Sequence, residues 1–187
     1  DYITINISSP NTSGLRDFHD EDALKKLLTK INEVREKSNF NKSFLLKVSP
    51  DLDSSQIPTM VKLILEYKID GVILTNTSNK NRENLIDSNS KENGGLSGKP
   101  IRNLSTEFVK KFYRNLNGKI PIIGVGGIDS GESAFEKIAA GASAVQLYTG
   151  LIYKGPNIVK NIKKDLIKIL NNKGFKNINE AVGSSSN

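Results

Sequence analysis

The sequence predicts an α/β fold, a (β/α)8 TIM barrel of which this chain supplies about the last five β/α units, and three observations lead there. Short β-branched apolar runs alternate strictly with longer amphipathic stretches, which implies a parallel sheet with helices outside it. The runs are nearly continuous in apolar residues, as expected of strands covered on both faces. The Gly-rich turn Gly124-Val125-Gly126-Gly127 comes with the fourth run. An open nucleotide-binding sheet normally carries such a turn after its first strand. Barrels often build a phosphate site from the loops after their last strands, so the barrel is favoured over the doubly wound sheet.

Strands are expected at residues 2–7, 44–48, 71–74, 120–124 and 144–147, and helices at 21–37, 55–67, 105–115, 131–140 and 157–172. Asp17, Asp20, Glu21 and Asp22 give the first helix an acidic start that suits its dipole. The second helix carries Ile57, Met60, Val61, Ile64 and Leu65, an apolar stripe for core packing. The last carries Ile158, Ile162, Leu166, Ile169 and Leu170, with Lys160, Lys163, Lys164 and Lys168 on a solvated face. Residues 76–100 form the one long irregular connection, and a loop of that length in a compact domain is usually functional.

At 187 residues, 36% hydrophobic and 25% charged, the chain has a globular composition, and residues 1–187 are read as the C-terminal part of a single barrel domain. It begins at Asp1 in a strand-like run. The expectation is that the first three barrel strands and any targeting segment lie outside it. The absence of cysteine excludes disulfides, thiolate catalysis and Cys-based zinc sites. The lone His19, flanked by helix-start carboxylates, is not expected to bind metal, and no metal site is predicted. The net charge of +7 is spread along helix faces and only 6% of residues are aromatic, which argues against a nucleic-acid surface. No run reaches the roughly 20 apolar residues of a membrane-spanning helix.

The chemistry collects where the strands end. The first closes on Asn6, followed by Ser8, Ser9, Pro10, Asn11 and Thr12; the second carries Lys47; the third leads into Thr75, Asn76 and Thr77. The fourth gives Gly126 and Gly127, and the fifth Tyr148 and Thr149. This is the active face of a barrel. Lys47 within an apolar strand is either a lysine snorkelling to water or a fixed cation facing a cofactor that gains negative charge on reduction. The Gly126-Gly127 turn is either a tight strand–helix turn or a phosphate cradle. Asn6, Asn11 and Asn76 offer uncharged amide groups suited to a planar heterocycle. Ser9 has no histidine near it in sequence, which argues against a hydrolase triad.

Segment by segment, the chain resembles class 2, quinone-dependent dihydroorotate dehydrogenases. Asn6-Ile7-Ser8-Ser9-Pro10-Asn11-Thr12-Ser13-Gly14-Leu15-Arg16 is similar to the family's active-site loop. Leu46-Lys47-Val48-Ser49-Pro50-Asp51-Leu52, Thr75-Asn76-Thr77, Gly94-Gly95-Leu96-Ser97-Gly98-Lys99-Pro100, Ile122-Ile123-Gly124-Val125-Gly126-Gly127 and Val145-Gln146-Leu147-Tyr148-Thr149 follow in family order. Gly174-Phe175 and Glu180-Ala181-Val182-Gly183 resemble its closing residues.

The resemblance implies FMN-dependent oxidation of dihydroorotate to orotate in de novo pyrimidine biosynthesis, with electrons passed to a quinone. It implies FMN held by Asn6, Lys47, Thr75, Ser97, Gly98, Gly126, Gly127, Tyr148 and Thr149, and substrate held by Asn6, Asn11, Asn76 and Thr77. Ser9 would remove the C5 proton, Thr12 would relay it, and the C6 hydride would pass to flavin N5. The soluble class uses a cysteine base, so a cysteine-free chain points to the quinone class. That class sits on the mitochondrial inner membrane or the bacterial cytoplasmic membrane through an N-terminal region. Residues 1–187 alone are expected to be inactive. The alternatives are another FMN- or phosphate-binding barrel oxidoreductase and a non-catalytic half-barrel module.

Overall fold

The computed structural model describes residues 1–38, 41–80 and 82–186. Five strands, β1 (Tyr2–Asn6), β2 (Ser43–Val48), β3 (Gly71–Leu74), β4 (Ile122–Val125) and β5 (Ala144–Gln146), form one parallel sheet in the order β1-β2-β3-β4-β5. Every crossover moves to the next strand in the same direction. Right-handed crossovers that never reverse direction place all their helices on one face. A doubly wound sheet would need a reversal, and the strand order contains none. The helices are α1 (Glu21–Lys37), α2 (Ile57–Glu66), α3 (Arg102–Leu116), α4 (Gly131–Ala139), α5 (Thr149–Lys154), α6 (Asn157–Asn172) and α7 (Ile178–Ala181).

Local chemistry sets the helix starts. The Asp20 carboxylate accepts from the Asp22 and Ala23 N–H groups at the start of α1. Ser130 and Ser133 cap α4 reciprocally. Pro100 lies in a 3-10 turn, Lys99–Ile101, that leads directly into α3, so this helix begins at Arg102, ahead of the expected residue 105. The expected helix 55–67 divides into a 3-10 turn at Ser54–Gln56 and α2. The fifth strand ends at Gln146, so Thr149 opens α5 instead of closing a strand. Within 76–100 there is a 3-10 turn, Ser88–Lys91, and an antiparallel bridge between Ser78 and Leu96.

The near-continuous apolar strands conceal a strict division between faces. Leu46, Val48, Val72, Leu74 and Ile122 join the buried cluster made with Leu24 and Leu28 of α1, Ile64 of α2, and Phe108 and Phe112 of α3. Burial of such a side chain contributes roughly 1.5–3 kcal/mol. The alternate residues, Leu45, Lys47, Ile73, Ile123 and Val125, share the opposite face, because neighbouring strands pair them in register. That face is concave: the Gln146 side chain of the last strand donates to the Tyr2 hydroxyl of the first at 2.8 Å. A second cluster (Ile128, Ala134, Ile138, Ile158, Ile162, Leu166 and Ala181) packs α4, α6 and α7 together.

Candidate active site

At the end of β1, the Asn6 Oδ1 accepts from the Ser8 N–H at 3.2 Å, from the Ser8 hydroxyl at 2.8 Å and from the Asn76 amide at 3.3 Å. The same Asn76 amide donates to Ser8 Oγ at 3.0 Å, and Asn76 Oδ1 accepts from the Thr77 N–H at 2.8 Å. Two loops are thereby fastened through Ser8, which is fully buried. Residue type alone does not separate this serine from Ser9, since both stand in one run of small polar residues, and only the family resemblance singles out Ser9. Ser9 is half-buried, and its Oγ accepts from the Asn11 N–H at 3.2 Å and from the Thr12 hydroxyl at 3.5 Å. Asn11 and Thr12 are exposed.

Lys47 pairs in register with Asn6 and stands on the concave face, away from the core. Half-buried, it has no hydrogen-bond or ion-pair partner among the described residues, and burial pushes its pKa below the usual lysine range. An unpartnered, partly desolvated ammonium is costly unless an anion or electron-rich group meets it. It opens onto a cavity of about 950 Å³ that is also lined by Thr75, Asn76, Thr77, Ser97, Gly98, Gly126, Gly127, Tyr148 and Thr149. The Thr149 hydroxyl donates to Ser97 Oγ at 2.9 Å, joining the fifth strand's loop to the long connection.

Two of the glycines are required where they stand. Gly127 has φ 72°, and a Cβ there would lie 2.4 Å from Arg102 Cβ. Gly98 has φ 73°, and its Cβ would lie 2.9 Å from Thr149. Bare backbone therefore lines this part of the cavity, with the start of α3 close behind, a setting in which N–H groups can approach a phosphate. The donor set suits a phosphorylated flavin: a free cation, amides, hydroxyls and bare backbone share one cavity. Tyr148 lines it with its side chain largely exposed.

The expected residues do not all meet in that cavity. Asn11 lines a second depression of about 620 Å³ with Pro10, Arg82 and Asn93, while Asn6, Ser9 and Thr12 line neither, and Asn6 meets the wall of the main cavity only through its hydrogen bond with Asn76. The two depressions share Arg82, Glu92, Asn93 and Gly94 in their walls, and next to these Gly95 fits between Thr77 and Pro10, so tightly that a Cβ would lie 1.9 Å from Thr77 Oγ1. Among the described residues no group of three or more His, Cys, Asp or Glu could hold a metal ion. Among the described residues His19 Nε2 is buried without a hydrogen-bond partner, and burial lowers its pKa to about 4. Among the described residues no helix is long and apolar enough to cross a membrane.

A sheet wound in one direction, with its polar groups gathered at the strands' C-terminal ends, gives this chain the architecture of a (β/α)8 barrel. The family model for dihydroorotate dehydrogenase matches residues 1–170, and the chain belongs to that family. It is 47% identical over 191 residues to the dihydroorotate dehydrogenase (quinone) of Trichodesmium erythraeum, covering 98% of this chain and 50% of that protein. It is 43% identical to the mitochondrial dihydroorotate dehydrogenase (quinone) of Mus musculus, covering 98% of this chain and 47% of that protein. The crystal structure of the ligand-free Eimeria tenella enzyme superposes with a TM-score of 0.91 at 37% identity, covering 99% of this chain and 56% of that one. The chain spans about half the length of the curated relatives it matches.

Proposed function

We propose that the chain forms the flavin- and substrate-gripping side of an enzyme that oxidises dihydroorotate to orotate and passes the electrons to a quinone. The observation that carries this reading is the unpartnered Lys47, set beside Asn6 over a cavity whose far side is bare glycine backbone. FMN, when bound, supplies the acceptor for the substrate's C6 hydride. Lys47 would face its ring system, Thr75, Ser97 and Thr149 would offer hydroxyls, and the backbone at Gly98, Gly126 and Gly127 with that at Tyr148 would hold its phosphate end.

The substrate's ring is oriented by amides from Asn6, Asn11 and Asn76 and by Thr77, so that its C5 proton faces Ser9. Oxidation breaks C5–H and C6–H and forms the C5=C6 bond, both electrons leaving with the C6 hydride. Ser9 Oγ takes the C5 proton while its own hydroxyl proton passes outward, with Thr12 as the first relay. Free serine is far too weak a base for this, so the site depends on fixed geometry and exclusion of water. The loop residue Pro10, packed against Gly95, places the long connection over the Ser9 loop, as such exclusion requires.

In this reading the catalytic protein is about twice the length of this chain, as its matched relatives are. Segments outside residues 1–187 complete the barrel and make peripheral contact with the mitochondrial inner membrane or the bacterial cytoplasmic membrane. The test is Ser9→Ala in the full-length, FMN-loaded protein, with flavin bleaching by dihydroorotate followed in a single turnover. The expected result is a fall of at least about 100-fold, within the usual range for a lost acid–base group. Bleaching at the parental rate would remove Ser9 from its role.

A further inference from the structure

Arg16 has a place in the site that its position in the sequence does not suggest. Its guanidinium reaches three loops at once: Nε donates to the Ser8 carbonyl at 3.4 Å, Nη1 to Asp51 Oδ2 at 3.0 Å, and Nη2 to the Thr77 carbonyl at 3.2 Å. Asp51, whose side chain is only 7% exposed, is held in turn from the third strand's loop. The Ser78 hydroxyl donates to its Oδ1, and the Asn79 N–H donates to its Oδ2 at 2.9 Å. The loops after β1, β2 and β3 therefore close on one ion pair. Arg16 lines neither depression, and each of its three guanidinium nitrogens is already committed to a protein oxygen, so it acts through other residues.

The two carbonyls it grips are informative. The Ser8 carbonyl belongs to the peptide whose nitrogen is that of Ser9. The Thr77 carbonyl belongs to one of the residues assigned to the substrate. A planar guanidinium with a fixed fork of donors sets the spacing between two such acceptors, which a flexible ammonium does not. We propose that Arg16, oriented by Asp51, is a positioning residue that fixes the Ser9 loop relative to the Asn76–Thr77 segment, and so keeps the base in line with the substrate's proton. The inference rests on the reading of Ser9 as the base.

The experiment uses the full-length, FMN-loaded protein carrying Arg16→Met, Arg16→Lys, Asp51→Asn or Ser9→Ala, with Arg35→Met as a control. Arg35 and Asp70 form an ion pair of the same 3.0 Å length at the other end of the sheet. Single-turnover flavin reduction by dihydroorotate, the absorbance change on titration with orotate, FMN content and Tm are measured for each. Arg16→Met and Asp51→Asn are expected to slow flavin reduction about 30- to 100-fold, the usual consequence of misplacing a reacting group by about 1 Å. Affinity for orotate should stay within about 5-fold, because the amides that hold the ring are intact, and FMN should be retained. Arg16→Lys should recover less than about a tenth of the lost rate. In the Ser9→Ala background, Arg16→Met should add less than about 3-fold, since there is no base left to misplace.

The proposal is overturned by reduction within about 3-fold of parent in Arg16→Met and Asp51→Asn, by full rescue by Arg16→Lys, or by orotate affinity falling as far as the rate. A slowing by Arg35→Met equal to that by Arg16→Met, at equal loss of Tm, would assign the effect to stability and overturn it as well. Should Arg16→Met fail to fold, the near-isosteric Asp51→Asn decides by the same criteria. If Ser9→Ala itself reduces flavin at the parental rate, the underlying reading fails; if only the Arg16 and Asp51 variants do so, the positioning role fails alone.

Discussion

At the strands' N-terminal ends Arg35 grips Asp70 at 3.0 Å, and at their C-terminal ends Arg16 grips Asp51 at the same distance. The resemblance extends to the surroundings. Arg35 also donates to the Lys68 carbonyl at 3.2 Å, and Asp70 also accepts from the Phe44 N–H at 2.8 Å. What differs is desolvation and what is joined. The Asp70 side chain is 34% exposed against 7% for Asp51, so solvent screening leaves the lower pair a modest contribution. The lower pair pins α1 to the sheet, where both partners already belong to the packed framework. The upper pair joins the three loops that carry the candidate site. Identical chemistry supports the frame at one end and sets the geometry of a site at the other.

Paired glycines give the severest test of that division. Gly127 lies at the C-terminal end and Gly141 at the N-terminal end, between α4 and β5; both have positive φ. A Cβ at Gly127 would lie 2.4 Å from Arg102 Cβ, and one at Gly141 2.2 Å from the Tyr113 ring. Alanine at either position is expected to cost roughly 2–4 kcal/mol, combining backbone strain with overpacking. On the proposed reading, only Gly127→Ala should also weaken FMN retention, by more than about 100-fold, because it would displace backbone assigned to the phosphate. The measurements are Tm and the fluorescence of flavin released on dilution. Comparable flavin loss from Gly141→Ala would erase the distinction between the ends.

The same division separates what could be read in the sequence from what could not. Strand positions were legible because β-branched apolar runs are short and bounded, and Lys47 because a cation interrupting such a run has few explanations. The face on which Lys47 stands was not legible, since Leu45 and Leu46 look alike until the register places one on each side. Thr149 was expected at a strand end and opens a six-residue helix, too short to show a periodic stripe. Arg16 and Asp51 are 35 residues apart and each reads locally as a loop charge. Ser8 is distinguished from Ser9 only by burial that tertiary packing creates. Residues 39 and 40, within the connection from α1 to β2, lie outside the described part of the chain.

Lys137 spans the two ends and should give an effect of intermediate size. It sits in the last turn of α4, fully buried. Its ammonium reaches the first turn of α3, donating to the Arg102 carbonyl at 2.9 Å and to the Thr106 hydroxyl. Burial lowers its pKa to about 7. Between that value and its unfolded value near 10.5 the unfolded chain binds a proton that the folded chain does not, so lowering the pH through this window destabilises the fold. The slope is at most about 1.4 kcal/mol per pH unit. Urea midpoints should therefore rise from pH 7 to pH 9 in the parent and rise less in Lys137→Met. Equal slopes in the two proteins would mean that Lys137 keeps an ordinary pKa and that the α3–α4 junction is hydrated.

The smallest expected effect reads the upper ion pair directly. His19, the one histidine of these 187 residues, lies close enough to Arg16 and Asp51 for both to act on it. Burial first and Arg16 second lower its pKa, against the opposing pull of Asp51, to about 4. Because the folded pKa lies below the unfolded one, the associated stability is present above about 6.5 and is lost as the pH falls towards 4. Partial solvent access reduces it to roughly 1–2 kcal/mol. The imidazole C2 proton, followed by NMR, should stay at its neutral-form shift down to about pH 5. Arg16→Met should move the midpoint up and Asp51→Asn should move it down, opposite displacements that a general loosening of the loops would not produce. A midpoint near 6.5 in the parent, or two variants moving it the same way, would mean that guanidinium and carboxylate do not meet beside this ring in solution.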